Sequence, residues 1–391
     1  MSALWCTNGH GVDKSPAPEL LLRLLGRWRR ARDRLLTSER FQSAALSFPP
    51  ARWIARRRAR RLFDLCAGFV YSQVLLALVQ TGWLRRLAES PCSVSELAAA
   101  ADLPEDSARR LLSAGCELEL IEARGQGRYG LAALGAAAVG NPGVLAMVEH
   151  HPMFYRDLEQ PVRLLRERGK GAELRSFWSY ADGRDPTQLG AAEVAAYSRL
   201  MAASNSFVAE EIAASYPLRR HKRVLDLGGG NGQFVAYLAG RFKNLQLVLL
   251  DLPGVIEEVQ RCQRAGEFPA NIELLAGNFN GPLPAHGADL VMLVRVVHDH
   301  DDAVVARLLR SVFESLPGGG QVLVAEPMAD SREAGRIGAA YFGLYFLAMG
   351  QGRSRSAVEI AELMRSAGFV KVRRLATRLE IHAQLLTGTR P

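Results

Sequence analysis

At 391 residues, with 48% hydrophobic and 23% charged side chains, the chain has an ordinary globular composition and length enough for two domains, each with its own core. Its five cysteines (Cys6, Cys66, Cys92, Cys116, Cys262) are scattered, odd in number and never spaced as CxxC, which argues against a disulfide framework or structural zinc and for a reducing compartment. The net charge of +9 is concentrated at one end: residues 1–61 hold fourteen Lys or Arg against four Asp or Glu, and the rest of the chain is close to neutral.

Residues 1–61 read as a basic N-terminal extension, densest at RRRARR (Arg56 to Arg61). Such a run attracts anionic lipid or nucleic acid, or stands as a solvated helix or arm. No charged stretch followed by an apolar run opens the chain, so no secretory signal is expected. The expected location is cytoplasmic, with peripheral contact at the inner face of the membrane as an option. Next, LFDLCAGFVYSQVLLALVQTGWLRRLA (62–88) is almost continuously apolar and approaches the length of a membrane span. Asp64, Ser72 and Gln73 interrupt it, and a buried or dimer-forming helix is expected.

SVSELAAAADL and PEDSARRLLSAGCELEL predict two short helices meeting at Leu103–Pro104, and LIEARGQGRYGL predicts a hairpin turning at Gly125-Gln126-Gly127. Together they make a winged helix-turn-helix. A DNA-reading helix presents a basic face, whereas this second helix carries Glu105, Asp106, Glu117 and Glu119 beside Arg109 and Arg110. A structural wing and no nucleic-acid partner are expected. Residues 144–168 predict a helix or helix pair in which Met147, His150, Met153 and Phe154 either pack a core or line an apolar pocket.

From about residue 220 strands and helices alternate: RVLDLGGGNG and a helix, LQLVLLDLP and a helix, then NIELLAGNFN, ADLVMLVRVV and QVLVAEP as further strands. FVKVRRLAT and EIHAQLLTGT close the chain as a hairpin. Buried strands separated by helices predict a doubly wound α/β sheet. The turn after the first strand brings backbone close to a ligand. Gly228, Gly230 and Gly232 are spaced GxGxG, and Gln233 stands where a dinucleotide fingerprint needs glycine. Asp226 would repel a pyrophosphate but suits the ammonium of a methionine moiety, and Asp251 is placed for ribose hydroxyls. S-adenosylmethionine (SAM) is therefore expected ahead of NAD. VVHDHDD (296–302), straight after the fourth apolar strand, reads as a metal site, a catalytic base or a polar loop; the metal reading is weakened because no other His or Cys cluster supplies three or four ligands.

From about residue 62 onward the chain resembles the SAM-dependent O-methyltransferases of the plant and bacterial small-molecule type. VLDLGGGNG matches that family's glycine motif, DLP (251–253) its ribose acid, GNFN (277–280) its adenine turn, and His298-Asp299-His300 its HDW motif with His300 for Trp. The resemblance implies a Rossmann-like class I methyltransferase domain (201–391) with a C-terminal β-hairpin, after an α-helical winged-helix dimerisation domain with substrate-lining helices (62–200). It implies SAM as cofactor, S-adenosylhomocysteine as product, no metal, and a homodimer. Leu252, Asn278, Phe279 and Arg295 join the cofactor residues. His298 becomes the general base and Glu326 the acid that orients it. A further acid carried by many relatives is replaced by Gly352.

Within the family, RRRARRLFDLCAGFVYSQVLLALV and AAYFGLYFLAMGQGRSRS (339–356) are most similar to bacterial methylases of 1-hydroxy carotenoids such as hydroxyneurosporene and demethylspheroidene. A small hydrophobic substrate is implied, acting at its tertiary hydroxyl. Tyr341, Phe342, Tyr345, Phe346 and Met349 fall at helical spacing and would form one wall, with Met201 nearby, or would pack a core or dimer interface. The alternatives are a phenolic or polyketide O-methyltransferase, a C-methyltransferase of the bacteriochlorophyll type, and a winged-helix DNA-binding SAM sensor.

Overall fold

A computed structural model describes residues 19–178, 207–278, 281–330, 337–380 and 383–391. The chain divides into two compact units, Met1–Val74 and Leu75–Pro391. The first is helical: α1 (Glu19–Thr37), α2 (Glu39–Ser47) and the start of α3 (Pro49–Gln80). Ser38 breaks α1 from α2 by accepting the Phe41 amide, and a proline pair opens α3 where missing N–H groups cost nothing. Leu21, Leu24, Leu25, Trp28 and Leu35 recur along one face of α1 and all are exposed. The apolar segment expected over 62–88 is two helices, because Gly82 adopts φ +70 and ends the run before α4 (Trp83–Glu89). Leu62, Phe63, Leu65 and Phe69 are exposed, and burial in α3 begins only at Leu76. By length and composition α3 is apolar enough to cross a membrane.

The second unit begins with the wing. Ser93 and Glu96 form a reciprocal capping box at the start of α5 (Val94–Ala100), and Pro104 opens α6 (Glu105–Glu117). Strands β2 (Ile121–Gly125) and β3 (Arg128–Leu131) form the expected hairpin, and β1 (Cys92–Ser93) pairs with β3. Trp83 is fully buried beneath α5 and donates from Nε1 to the Leu97 carbonyl at 3.1 Å. Beyond the wing lie α7 (Ala133–Val139), α8 (Pro142–Asp157), α9 (Pro161–Glu167) and α10 (Glu173–Phe177).

The large sheet contains β4 (Arg223–Leu227), β5 (Gln246–Asp251), β6 (Ile272–Ala276), β7 (Leu290–Val294), β8 (Gln321–Glu326), β9 (Val370–Leu375) and β10 (Gln384–Thr389). Their order is β6-β5-β4-β7-β8-β10-β9, parallel except for β10, which is inserted antiparallel between β8 and β9. The near-continuous apolar runs are explained by burial on both faces. Val224, Leu249, Met292 and Leu323 face one way, against α11 (Gln233–Arg241) and α12 (Pro253–Arg264). Leu225, Val248, Val291 and Val322 face the other, against α13 (Asp302–Ser315) and α15 (Ala357–Ser366); α14 (Phe342–Met349) lies between β8 and α15 in sequence. The strand order reverses between β4 and β7, so the carboxyl ends of β4, β5, β7 and β8 open onto one crevice, where ligands of such sheets bind.

Trp83 sets a test of the wing's core. Trp83→Ala should cost about 3–5 kcal/mol of unfolding free energy in urea titrations, and a loss under about 1 kcal/mol would contradict the packing described.

Candidate active site

The chain leaves β4 through a turn whose conformation only glycine adopts easily: Gly228, Gly230 and Gly232 have φ of +75°, +60° and +75°. A Cβ on Gly232 would lie 2.7 Å from the Phe268 ring, whereas one on Gly230 would meet nothing within 4 Å. The turn is therefore packed beneath and open above. Asp251, at the end of β5, accepts the Gly230 and Leu252 amides, both at 2.7 Å, and ties the turn to its neighbouring strand. Burial raises the Asp251 carboxyl above its ordinary range, and those two amides work against the rise.

Asp226 is 1% exposed, and neither carboxylate oxygen has a hydrogen-bond partner among the described residues. Burial first, and the charge of Asp251 second, push it up to about 8. Only a glycine at 229 tolerates it, since a Cβ there would fall 2.2 Å from Asp226 Oδ2. A buried carboxylate without donors is costly, and a cationic ligand with N–H donors relieves that cost. The turn thus fits the amino-acid end of SAM.

His298 sits on a three-residue 3₁₀ turn (Val297–Asp299) beyond β7 and is buried. Its Nδ1 faces the Glu326 carboxylate in an ion pair, and its Nε2 lies 3.1 Å from Asp299 Oδ1. Burial alone would push the imidazole down, but Glu326 and Asp299 outweigh it and raise the group to about 9. Glu326 is itself 1% exposed; its other oxygen accepts the amides of Val296 (3.0 Å) and Val297 (2.7 Å). Phe346 and Phe342 flank the imidazole with centroids at 5.2 and 6.3 Å. The other acids of the stretch face elsewhere: Asp301 accepts the Gly352 amide and Asp302 binds Arg353 and Arg355. Among the described residues no group of three His, Cys, Asp or Glu could hold a metal ion.

Next to this site, α8 and α14 meet through aromatic and imidazole rings. Trp178 Nε1 donates to the Tyr345 hydroxyl at 3.1 Å, and the same hydroxyl is hydrogen-bonded to His150 Nε2, 2.9 Å away. Burial first, and the neighbouring His151 second, lower His150 to about 4, so its ring is neutral at neutral pH. Tyr341 contacts His151 at 2.9 Å and Met147 sulfur at 3.5 Å, and Phe154 packs edge-on against Tyr341 and Tyr345. Burial raises both tyrosines, and the charge of Arg295, a residue at φ +58, opposes the rise.

The structure therefore brings together Asp226, the three glycines, Asp251 and Leu252 on one side, and His298, Glu326, Phe342 and the His150–Tyr345 group on the other. Asn278 is half-buried beyond β6, and Met153 is half-buried on α8. Met349 is fully buried in the same cluster as Phe154, Tyr345 and Phe346, the core packing that the sequence left open beside the wall for this almost wholly apolar helix. Phe279 and Met201 lie outside the described residues. Sequence reasoning missed Asp299 as a partner of the base, although it stood inside VVHDHDD, and missed Trp178 and Arg355.

The family model described as an O-methyltransferase domain matches residues 155–370. The chain is 41% identical over 363 residues to demethylspheroidene O-methyltransferase of Cereibacter sphaeroides, covering 92% of this chain and 94% of that one. It is 39% identical over 340 residues to the enzyme of the same name from Rhodobacter capsulatus, covering 87% and 84%. Among solved structures, the S-adenosylmethionine-dependent methyltransferase SibL in its apo form superposes with a TM-score of 0.69 at 26% identity, covering 85% of this chain and 99% of that chain. The chain belongs to the SAM-dependent O-methyltransferases and is an enzyme that methylates a small molecule.

Proposed function

We propose that the enzyme methylates the tertiary 1-hydroxyl of an acyclic carotenoid of the hydroxyneurosporene or demethylspheroidene type, with His298 as general base. The observation that carries the mechanism is the buried Glu326–His298 pair at the carboxyl ends of two adjacent strands. The near-full-length similarity to demethylspheroidene O-methyltransferases supports the substrate. An aromatic wall whose hydroxyl and imidazole groups already satisfy one another suits a polyene, because it offers apolar faces and no orphaned donor.

In this reading Asp226 holds the ammonium of SAM and Asp251 its ribose hydroxyls, with Leu252, Asn278, Phe279 and Arg295 completing the cofactor side. SAM supplies a methyl group already activated on a sulfonium, so the protein's work is alignment and proton removal. A tertiary alcohol is too weak an acid to ionise freely. Its proton passes to His298 Nε2 as the new O–CH₃ bond forms and the S–CH₃ bond breaks, leaving a methyl ether and S-adenosylhomocysteine. Asp299 must yield that nitrogen to the substrate hydroxyl. Glu326 then stabilises the imidazolium from the other side.

The helical region before the methyltransferase domain serves dimerisation and lines the substrate site in this proposal, the exposed apolar residues of α3 (Leu62, Phe63, Leu65, Phe69) supporting a contact with a second copy. On α1, exposed Leu21, Leu24, Leu25 and Trp28 lie among Arg23, Arg27, Arg29 and Arg30. That combination supports peripheral binding to an anionic bilayer at its cytoplasmic face, from which a lipid-dissolved substrate would be drawn.

Two experiments test these statements. With deuterated-methyl SAM, 1-hydroxyneurosporene in detergent and a panel of phenols, one labelled methyl should appear on the carotenoid. His298→Ala should lower kcat by about 10²–10⁴ with SAM binding kept. A base raised to about 9 is protonated at neutral pH, so wild-type kcat/KM should climb with pH and level off above that value. Label only on phenols would contradict the substrate, and a flat profile the base. For the membrane contact, the full chain should co-sediment with phosphatidylglycerol-containing vesicles but not pure phosphatidylcholine. Salt should weaken that binding, and Leu24→Glu with Trp28→Glu should weaken it at least about tenfold. Equal binding to both vesicles, or to neither, would count against it.

A further inference from the structure

The turn that carries His298 does little to hold itself in place. Its own backbone bonds, Asp299 N–H to Val296 O at 3.3 Å and His300 N–H to Val297 O at 3.4 Å, are long. The shorter bonds come from outside. Arg355 is 2% exposed and reaches across from the start of α15. It donates from Nη1 to the Val297 carbonyl at 2.8 Å, and from Nη2 to the His300 carbonyl at 2.7 Å. Its Nε and Nη2 also bind Asp302 Oδ1, at 2.9 and 2.7 Å. The Arg353 amide takes another carbonyl of the turn, that of His298, at 2.9 Å.

Gly352 shows how close this approach is. Its φ is +81°, and a Cβ there would lie 2.4 Å from the His298 carbonyl oxygen and 2.8 Å from Asp299 C. A side chain at 352, acidic or otherwise, is therefore incompatible with this backbone. The place where Gly352 stands instead of the further acid that the resemblance gives to many relatives is filled by main chain clasping the turn.

We infer that Arg355 is the positioning residue of the base: together with the backbone of 352–353 it fixes the 297–302 turn so that the His298 ring stays between Glu326 and Asp299, in place of a second supporting acid. The inference rests on the reading of His298 as base. A guanidinium is suited to the task because its planar fork serves two carbonyls and a carboxylate at once. Lysine, a single compact ammonium, cannot span them. Glu326 secures the amides of Val296 and Val297 while Arg355 secures the carbonyls of Val297 and His300, so the turn is gripped from both polar edges.

The test compares Arg355→Lys and Gly352→Ala with wild type and with His298→Ala. Each should lower kcat about 10- to 100-fold while leaving the Kd for SAM unchanged, and in the His298→Ala background Arg355→Lys should cost nothing further. Histidine side-chain NMR of the full-length protein should show the His298 titration moved downward in Arg355→Lys. Wild-type kcat in Arg355→Lys, an undiminished additional loss in the double variant, or an unmoved titration would overturn the inference. If His298→Ala itself kept the wild-type rate, the base reading would fall instead, and the NMR titration would still decide whether Arg355 positions the ring.

Discussion

Glu326 carries more of this site than any other side chain. It is an almost fully buried carboxylate, a situation that is tolerable only when cations and donors surround it. One oxygen meets the His298 imidazole, and the other takes two consecutive backbone amides of the turn bearing that histidine. Because Glu326 ends β8 and the turn bearing His298 follows β7, its parallel neighbour, the register of the sheet fixes where the base stands. The same pairing tilts the imidazole toward its charged form. What holds the ring in place therefore also sets the pH at which it can accept a proton, and the two properties cannot be tuned separately.

A second buried acid does the opposite work. Asp226 has no partner within the described chain, and below its folded value of about 8 it carries a proton. Its folded pKa lies above the ordinary carboxylate value. The associated stability is therefore present at low pH and is lost as pH rises through about 8. A bound ammonium reverses that penalty. The chain thus keeps one carboxylate satisfied, to hold a side chain of its own, and one unsatisfied, to hold a ligand. Both stand at the reversal of strand order, where parallel sheets leave a crevice.

Much of this was legible in the residues. Alternating apolar strands and helices, the GxGxG turn and the hairpin wing were each written in short local patterns, and such patterns survive folding because they depend on neighbours in sequence. The terminal hairpin was legible too, but not that its last strand, β10, slides between β8 and β9, which no local pattern encodes. Periodicity placed Tyr341, Phe342, Tyr345 and Met349 together without saying which face met the site; Met349 turned into the core while Phe342 reached His298. The break at Gly82 went unread because an isolated glycine in an apolar run is a weak signal until its φ is known. Arg355 was invisible for a deeper reason. An arginine after a glycine-rich stretch reads as solvent-facing, and only the fold brings it against a turn more than fifty residues earlier in the chain.

The most direct trial of the account is a crystal structure of the enzyme with S-adenosylhomocysteine and a 1-hydroxy carotenoid bound together. The account predicts the substrate hydroxyl within about 2.6–3.2 Å of His298 Nε2, Asp299 withdrawn from that nitrogen, and the cofactor's amino group on Asp226. A hydroxyl held out of reach of His298 and in contact with another proton acceptor would contradict it.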